Sequence, residues 1–229
     1  MKEELLIWLR LDAPLQSWGG TACSFEFRGT GTLPTYSGVL GFLCACLGVS
    51  FRKDLDKVKE LRDSIKMDMY TVQDGIRMID FQAAGGWVTR DAKSTDPFQQ
   101  YANKCLPKDD NNGGGKIYKK EYLQDAKFDV VLRIDQESVA ARIVEALRNP
   151  RWMIFAGRKA CHLSSVPFGG GFTSFAEVEV AWKASGRRHV GSALVHALPS
   201  DADVYAIKDY PLCIGDNSTT FRYVTQRPV

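Results

Sequence analysis

The stretch GTLPTYSGVLGFLCACLG, from Gly31 to Gly48, decides how the first part of this chain folds. A polar loop with glycine and proline runs directly into an almost uninterrupted apolar segment, Val39 to Val49. Serine is a preferred residue at helix N-termini, so the sequence predicts a helix that begins at Ser37 and ends near Gly48. A helix start also offers unpaired amides and the positive end of the helix dipole to a phosphate group. The residues there are therefore either an ordinary helix cap or a binding site.

Four residues at this helix start are candidates under the binding-site interpretation. Thr35 and Ser37 carry hydroxyls, and Gly38 would let a ligand approach the backbone closely. Tyr36 would supply a flat face on which a nucleotide base can stack. The preceding GTGTLP is not a dinucleotide-binding fingerprint, because the third glycine and the surrounding βαβ unit are missing.

The composition is that of an ordinary globular protein. The chain has 229 residues, 45% of them apolar and 25% charged, and its net charge of +3 means that any basic site must be local. Six cysteines without metal-like spacing do not indicate a disulfide scaffold. The N-terminus does not resemble a signal peptide, and the longest apolar run is shorter than the roughly 20 residues of a membrane span. We therefore expect a soluble cytoplasmic protein with no membrane association, no metal and no cofactor.

The segment before the first helix contains a strand and a long loop. Leu5 to Leu11 is predicted to be a buried first strand. Residues 12–36 then form a loop that includes Gln16, Trp18 and Arg28. Loops of this length inside a compact domain usually carry function.

Two further elements are predicted before residue 82. An amphipathic second helix is indicated by the spacing of Leu55, Val58, Leu61 and Ile65. The stretch MDMYTVQDGIRMIDFQ is predicted to be a β-hairpin with Asp74-Gly75 as its tight turn.

The periodic pattern ends after Phe81. Residues 82–121 have no stable period and contain a glycine tip followed by Lys116, Lys119 and Lys120. From Gln82 to Lys120, seven Lys or Arg residues stand against four Asp residues. This segment is therefore predicted to be a basic insertion.

Regular structure resumes with the strand KFDVVLRID and a helix from about Glu137 to Arg148. From Phe175 onward, AEVEVAW, DVYAIK and FRYVTQ alternate in polarity and are predicted to be strands of a small second sheet. The order of strands and helices is that of a split βαβ arrangement. The sequence thus predicts an α+β fold with a ferredoxin-like (RRM-type) domain.

A second cluster of candidate residues lies in RWMIFAGRKACHL, Arg151 to Leu163. Gly157, Arg158 and Lys159 follow a short apolar strand and place two cations at its end. The alternative interpretation is a solvated edge strand. The later PFGGGF is either another loop that a ligand can approach closely or a flexible turn.

The residues offer little for catalysis. The three histidines, His162, His189 and His196, lack the spacing of a zinc site. Cys44 and Cys46 are two apart on an apolar helix and are predicted to be core residues. A metal-free ribonuclease could be built only by combining Tyr36, Lys159 and His162 as acid and base.

Three of these stretches resemble one protein family. LRLDAPLQSWG, LPTYSGVLGFLCACLG and FAGRKAC are similar to the CasD-type subunits of the type I-E CRISPR Cascade complex, within the repeat-associated RNA-binding (RAMP) superfamily. The similarity is dense over residues 5–50 and clear again at 151–161. One position departs from the family, which commonly has Arg where this chain has Tyr36. A phosphate-pairing cation is then either missing from this chain or supplied by Arg28.

The resemblance implies a non-catalytic subunit that grips the 5′ handle of the guide RNA (crRNA) and caps the backbone of the complex. Its partners would be the crRNA and the backbone and large subunits, with target DNA contacted only indirectly. It implies a ferredoxin-like domain at 1–81 and 122–174, a thumb insertion at 82–121 and a small β-rich C-terminal region at 175–229. The implied RNA-binding residues are Gln16, Trp18, Arg28, Thr35, Tyr36, Ser37, Gly38, Lys116, Lys119, Lys120, Gly157, Arg158 and Lys159.

Two alternatives remain open at this point. One is the metal-independent endoribonuclease of the same superfamily, which processes the CRISPR precursor RNA. The absence of any histidine before residue 162 argues against it. The other is an adaptor that joins protein subunits without binding RNA.

Overall fold

The computed structural model describes residues 4–19, 27–84, 95, 116–201, 203–211 and 219–228. This part of the chain contains four helices: α1 Tyr36–Leu47, α2 Leu55–Asp63, α3 Glu137–Arg148 and α4 Phe175–Ala184. Its strands are β1 Leu5–Asp12, β2 Leu15–Gln16, β3 Phe27–Arg28, β4 Ile65–Gln73, β5 Ile76–Ala84, β6 Lys116–Gln124, β7 Lys127–Ile134, β8 Phe168–Phe172, β9 Ser192–His196, β10 Val204–Pro211 and β11 Thr219–Pro228. The result is a mixed α and β fold with largely antiparallel sheets.

The main sheet has seven strands in the order β10-β11-β9-β4-β7-β1-β8, and all its neighbours are antiparallel. Strand β1 lies inside the sheet, pairing with β7 along its whole length and with β8 on its other edge. Strands β1 and β7 are buried along most of their length because both of their faces are covered.

Successive side chains of β1 enter two different cores, one on each face of the main sheet. Ile7, Leu9 and Leu11 point into the larger core, which α1, α2 and α3 cover. Leu6 and Trp8 point into a smaller core on the opposite face, beneath α4. The predicted first strand is confirmed, as is the predicted helix from Glu137 to Arg148.

A second, smaller sheet contains β2, β6 and β3, with β5 also paired to β6. Strands β5 and β6 form a nine-residue antiparallel ladder from Ile76–Gln124 to Ala84–Lys116. These strands occupy the two ends of the predicted insertion at 82–121. The rest of that insertion lies outside the described residues, apart from Thr95.

The predicted hairpin around Asp74-Gly75 is wrong. Both strands exist, but β4 pairs with β7 and β9 in the main sheet, whereas β5 pairs with β6 in the small sheet. Gly75 is needed for close packing at this crossing, since a Cβ there would lie 2.8 Å from both Ala126 Cβ and Leu123 Cβ. The local turn signal is thus used to pass the chain from one sheet to the other.

The prediction for the C-terminal region is wrong in two respects. AEVEVAW belongs to helix α4, which starts with a capping box between Ser174 and Glu177 and buries Val178 and Trp182 one turn apart. Strands β9, β10 and β11 extend the main sheet beside β4 and do not form a second sheet of their own. The predicted strands DVYAIK and FRYVTQ are confirmed as parts of β10 and β11.

Two element boundaries also differ from those predicted. The N-cap of α1 is Thr35, not Ser37, because the Thr35 hydroxyl accepts a hydrogen bond from the Gly38 amide at 3.2 Å. Helix α2 ends at Asp63, and Ile65 is the first residue of β4.

Gly157 joins the segment after α3 to the chain that follows β2. Its φ of 92° lies in the region that favours glycine, and a Cβ there would lie 1.7 Å from the carbonyl oxygen of Ser17. The Ser17 amide also donates to the Ala156 carbonyl oxygen at 3.1 Å. No side chain fits between these two segments, so the glycine is required for them to meet.

We expect Gly157→Ala to lower the free energy of unfolding by at least about 3 kcal/mol, because backbone strain adds to a steric overlap. Gly186→Ala is the matched control, since its φ is 72° and a Cβ there would meet nothing within 4 Å. The control should lose only about 1–2 kcal/mol. Chemical denaturation of both variants measures the difference, and equal losses would contradict the close approach.

Candidate nucleic-acid interface

Arg158 connects three parts of the chain that are distant in sequence. One guanidinium nitrogen, Nη1, donates to the Glu121 carbonyl oxygen at 2.8 Å, and Nη2 donates to the carbonyl oxygens of Arg28 and Gly29 at 2.7 and 3.1 Å. The guanidinium carbon also lies 5.0 Å from the ring centroid of Tyr122. Three backbone acceptors therefore fix the planar guanidinium, which holds β3 against β6.

This arrangement gathers the predicted cations around β6. The parallel pairing of β3 with β6 sets Arg28 opposite Lys120, and both side chains project from the same face of the small sheet. Lys159 is exposed and follows Arg158 directly in the chain. Lys116 begins β6 opposite Ala84. Cations that are separated by up to 131 residues in sequence thus converge on one sheet.

The other face of the small sheet carries a pair of aromatic residues that the sequence analysis missed. Lys119 is paired in register with both Phe27 and Phe81, so the three side chains share this face. The Phe81 ring is 64% exposed, and the Lys119 ammonium lies 5.1 Å from its centroid. The sequence did contain a signal for this face: Ile79 and Phe81 are two residues apart on one strand, so both side chains project from the same side.

Two carboxylates moderate the positive charge. Glu121 accepts from the Thr30 amide at 3.0 Å and pairs with Arg77 at 2.7 Å. The Thr30 hydrogen bond lowers the pKa of Glu121 below its ordinary value, a shift that burial opposes and Arg77 supports. Asp80 is paired in register with Lys120, whose ammonium donates to the Gln82 amide oxygen at 2.5 Å. The positive charge that these acids do not offset lies at Arg28, Lys119 and Lys159.

Gln16 and Trp18 lie in the interior. Both side chains are almost completely buried, and the Trp18 indole nitrogen donates to the Gln16 amide oxygen at 2.9 Å. The Trp18 ring packs on Gly38, where a Cβ would lie 2.9 Å from ring atom Cε3. The prediction that Gln16 and Trp18 contact RNA is therefore wrong, because neither side chain is accessible.

The start of α1 is a cap. The amide of Gly38, which was predicted to bind a phosphate, already donates to the Thr35 hydroxyl. Ser37 is half-buried, with its hydroxyl oxygen 3.5 Å from that of Thr35. Tyr36 is only 3% exposed, and its hydroxyl oxygen lies 2.7 Å from the Arg62 carbonyl oxygen and 2.9 Å from that of Ile65. The predicted stacking role of Tyr36 is therefore wrong, and its burial also removes it from the acid–base trio considered for a ribonuclease.

The cysteines and histidines considered for catalysis are packed against, or lie close to, other side chains. Burial raises the pKa of the Cys44 and Cys46 thiols to about 12, which agrees with the prediction that they are core residues. His162 packs on Phe155, and the Nε2 atom of His189 lies 2.8 Å from a carboxylate oxygen of Asp129. Among the described residues, no three His, Cys, Asp or Glu side chains are close enough to hold a metal ion. None of the described helices combines the length and the apolar content that crossing a bilayer requires.

Solved structures of other proteins share this fold. A chain of a CRISPR RNA-guided surveillance complex matches with a TM-score of 0.68 and 23% identity, over 98% of this chain and 89% of that chain. A crystal structure of a Cas protein matches with a TM-score of 0.59 and 20% identity, over 97% and 94% of the two chains. At these identities the likeness establishes the fold alone.

Sequence comparison identifies the family. Residues 6–218 match the family described as CRISPR-associated protein (Cas_Cas5). The CRISPR system Cascade subunit CasD of Escherichia coli (strain K12) is 31% identical over an alignment of 170 residues, which covers 71% of this chain and 69% of that protein. The chain therefore belongs to the Cas5 family of CRISPR-associated proteins, as the three sequence stretches predicted.

Proposed function

We propose that this protein is the non-catalytic guide-RNA-binding subunit of a type I-E Cascade complex. In this role it grips the 5′ handle of the crRNA and caps the backbone of the complex. The similarity to a Cascade subunit supports the assembly. The observation that carries the RNA-binding role is the pairing of β3 with β6, which brings Arg28 and Lys119 to one sheet, with the exposed Lys159 directly after the Arg158 that joins these strands.

The small sheet suits a single-stranded RNA for two reasons. Exposed cations on both faces can neutralise successive phosphates, and such contacts position RNA without reading its sequence. The exposed ring of Phe81 beside Lys119 can stack a base, which is how many proteins hold unpaired RNA. The buried residues Gln16, Trp18 and Tyr36 act indirectly in this proposal, by fixing the elements that carry these groups.

We assign the domains accordingly. The succession β1, α1, β4, β7, α3, β8, with strand order β4-β7-β1-β8, supports a ferredoxin-like domain at 1–81 and 122–174. The segment 82–121, which leaves the small sheet through β5 and returns through β6, is the thumb in this proposal. Residues 175–229 are the C-terminal region, which begins with α4 and adds β9, β10 and β11 to the main sheet.

Co-purification tests the proposed function directly. The protein is expressed with the genes next to its own, isolated through a tag on this chain, and its bound nucleic acid is sequenced. We expect one discrete short RNA species with a constant 5′ end, together with other subunits. Subunits without RNA would favour the adaptor. A discrete cleavage product from precursor RNA, formed without metal and lost in His162→Ala, would favour the ribonuclease.

Substitutions of Lys159 and Arg158 should change the salt dependence of RNA binding differently. Lys159→Ala should weaken binding of the sequenced handle RNA and flatten the plot of log K against log salt by about 0.7, the value for one lost phosphate contact on a single strand. Arg158→Lys keeps the charge but loses the fork that binds three carbonyl groups. It should lower stability by about 1–3 kcal/mol and leave the salt slope unchanged. Parallel salt plots for wild type and Lys159→Ala would contradict the phosphate contact.

The stacking role of Phe81 has a matched control on its own strand. Phe81→Ala should weaken binding of the same RNA by about 1–3 kcal/mol, the contribution of one stacked base. Ile79 is 52% exposed on the same face of β5, so Ile79→Ala removes a similar exposed apolar group without removing a ring. This control should bind almost as tightly as wild type. Equal effects of the two substitutions, measured by fluorescence anisotropy, would show that Phe81 does not stack.

A further inference from the structure

A groove on the segment between α3 and β8 exposes apolar side chains in an unusual concentration. Trp152, Met153 and Val166 are 50%, 69% and 59% exposed, and all three line this groove, whose volume is about 680 Å³. Exposed apolar residues are ordinary when they are scattered, but a cluster that contains tryptophan is typical of a binding surface. The proposed RNA surface does not explain this groove, because Arg158 and Lys159 do not line it.

The first wall of the groove is held rigidly. The amides of Arg151 and Trp152 donate to the carbonyl oxygens of Cys46 and Ala45 at 2.9 and 3.2 Å, so they satisfy acceptors at the C-terminal end of α1. The Arg151 side chain packs on Gly48, where a Cβ would lie 2.8 Å from Arg151 Cδ. Trp152 therefore projects from a fixed backbone and loses little conformational freedom on binding.

The second wall is also fixed. A guanidinium nitrogen of Arg10 donates to the carbonyl oxygens of Val166 and Phe168 at 3.1 and 3.2 Å. The Ser164 amide donates to the Asp12 carbonyl oxygen at 2.8 Å. Both walls are thus tied to elements of the main sheet or its helices, and the groove between them is preformed.

The charges along the groove have one sign. Arg148 and Arg151 line it, and no carboxylate occurs among the described lining residues. Arg151 is exposed, and the Arg148 guanidinium lies 4.9 Å over the Phe168 ring. A complementary ligand therefore carries negative charge beside an apolar group.

A bridge between Phe155 and His162 separates this groove from the proposed RNA surface. The residues inside the bridge, 156–161, reach Ser17 and the small sheet through Gly157 and Arg158. The residues outside the bridge form the groove. One segment thus presents two different surfaces at its two ends.

We propose that this groove is the docking site for another protein subunit of the complex, which inserts an apolar side chain flanked by carboxylates. This inference rests on the proposed function only in taking the partner from the same assembly. A protein fits better than RNA because the walls are mainly aliphatic and proline-rich, with Trp152 as the one aromatic residue outside the Phe155–His162 bridge among the described lining residues. Tryptophan and arginine are also the residue types that dominate the binding energy of protein interfaces.

Four substitutions, two of them controls, test this proposal in the co-expressed complex. Trp152→Ala removes the anchor, and Met153→Asp places a carboxylate where an acidic partner would be repelled. Each should weaken the recovery of at least one subunit, with an affinity loss of about 30-fold for the anchor. Val180→Ala is the control, because Val180 is 66% exposed on α4 and does not line the groove. The control should assemble like wild type, and Trp152→Phe should recover most of the lost binding.

Two readouts separate the possible outcomes. Native mass spectrometry of the tagged complexes reports the subunits, and handle-RNA binding by the isolated variant chain reports the RNA surface. We expect lost subunits with unchanged RNA affinity and an unchanged melting temperature. Full assembly of both Trp152→Ala and Met153→Asp would overturn the docking site, and weaker RNA binding by these variants would reassign the groove to RNA. A wild-type chain that recovers neither RNA nor subunits would instead refute the proposed function.

Discussion

The buried amide of Gln16 is the interaction on which the arrangement of the two sheets depends. Its nitrogen donates to the carbonyl oxygens of Leu11 and Ala126 at 2.8 and 2.6 Å, where β1 ends and β7 is about to begin. Its oxygen accepts from the Trp18 indole, and that ring supports the start of α1 at Gly38. An apolar replacement would leave three buried polar groups without partners, and each such group typically costs about 1–3 kcal/mol. The point where the chain leaves the main sheet is therefore held by one side chain that water does not reach.

A second buried cluster of polar side chains, centred on Asp129, explains why RNA binding is assigned to the small sheet and not to the main one. Asp129 is completely buried and accepts from the Trp8 indole at 2.8 Å and from Arg187 at 3.0 Å, with His189 also 2.8 Å away. Helix α4 covers the same face, and its Trp182 packs against Trp8 and Tyr70. RNA-binding sheets of the RRM type use open aromatic residues on such a face. Here those aromatic rings are buried, and a buried charge with several partners is costly to expose. An exposed aromatic ring beside an exposed cation, Phe81 beside Lys119, belongs to the small sheet.

Much of the fold could be predicted from local sequence signals, and the errors occur where distant contacts decide. The helix Glu137–Arg148 and the strand β1 follow from periodicity alone. The sequence predicts that a strand ends at Asp74-Gly75, but no local signal states that β5 pairs with a strand forty residues later. The alternation in AEVEVAW, residues 176–182, predicted a strand, but capping by Ser174 and contacts one turn apart favour a helix. The site was predicted less well, since Tyr36 offers a suitable chemical group but is buried by its neighbours.

The residues that carry the family resemblance are largely those that build the junction between the sheets. Gly38 and Gly157 allow close approaches, and Arg158 binds three backbone carbonyl groups, so none of them needs to touch RNA to be required. The exposed positions Phe81 and Lys119 lie outside the matching stretches. A recognisable motif can therefore identify the scaffold of a binding site while the contacting side chains lie elsewhere. In this chain a substitution of a motif residue that holds the junction should act through stability. A substitution of an exposed residue, on the small sheet or at Lys159 within the motif, should act through affinity, because the two sets of residues face different surroundings.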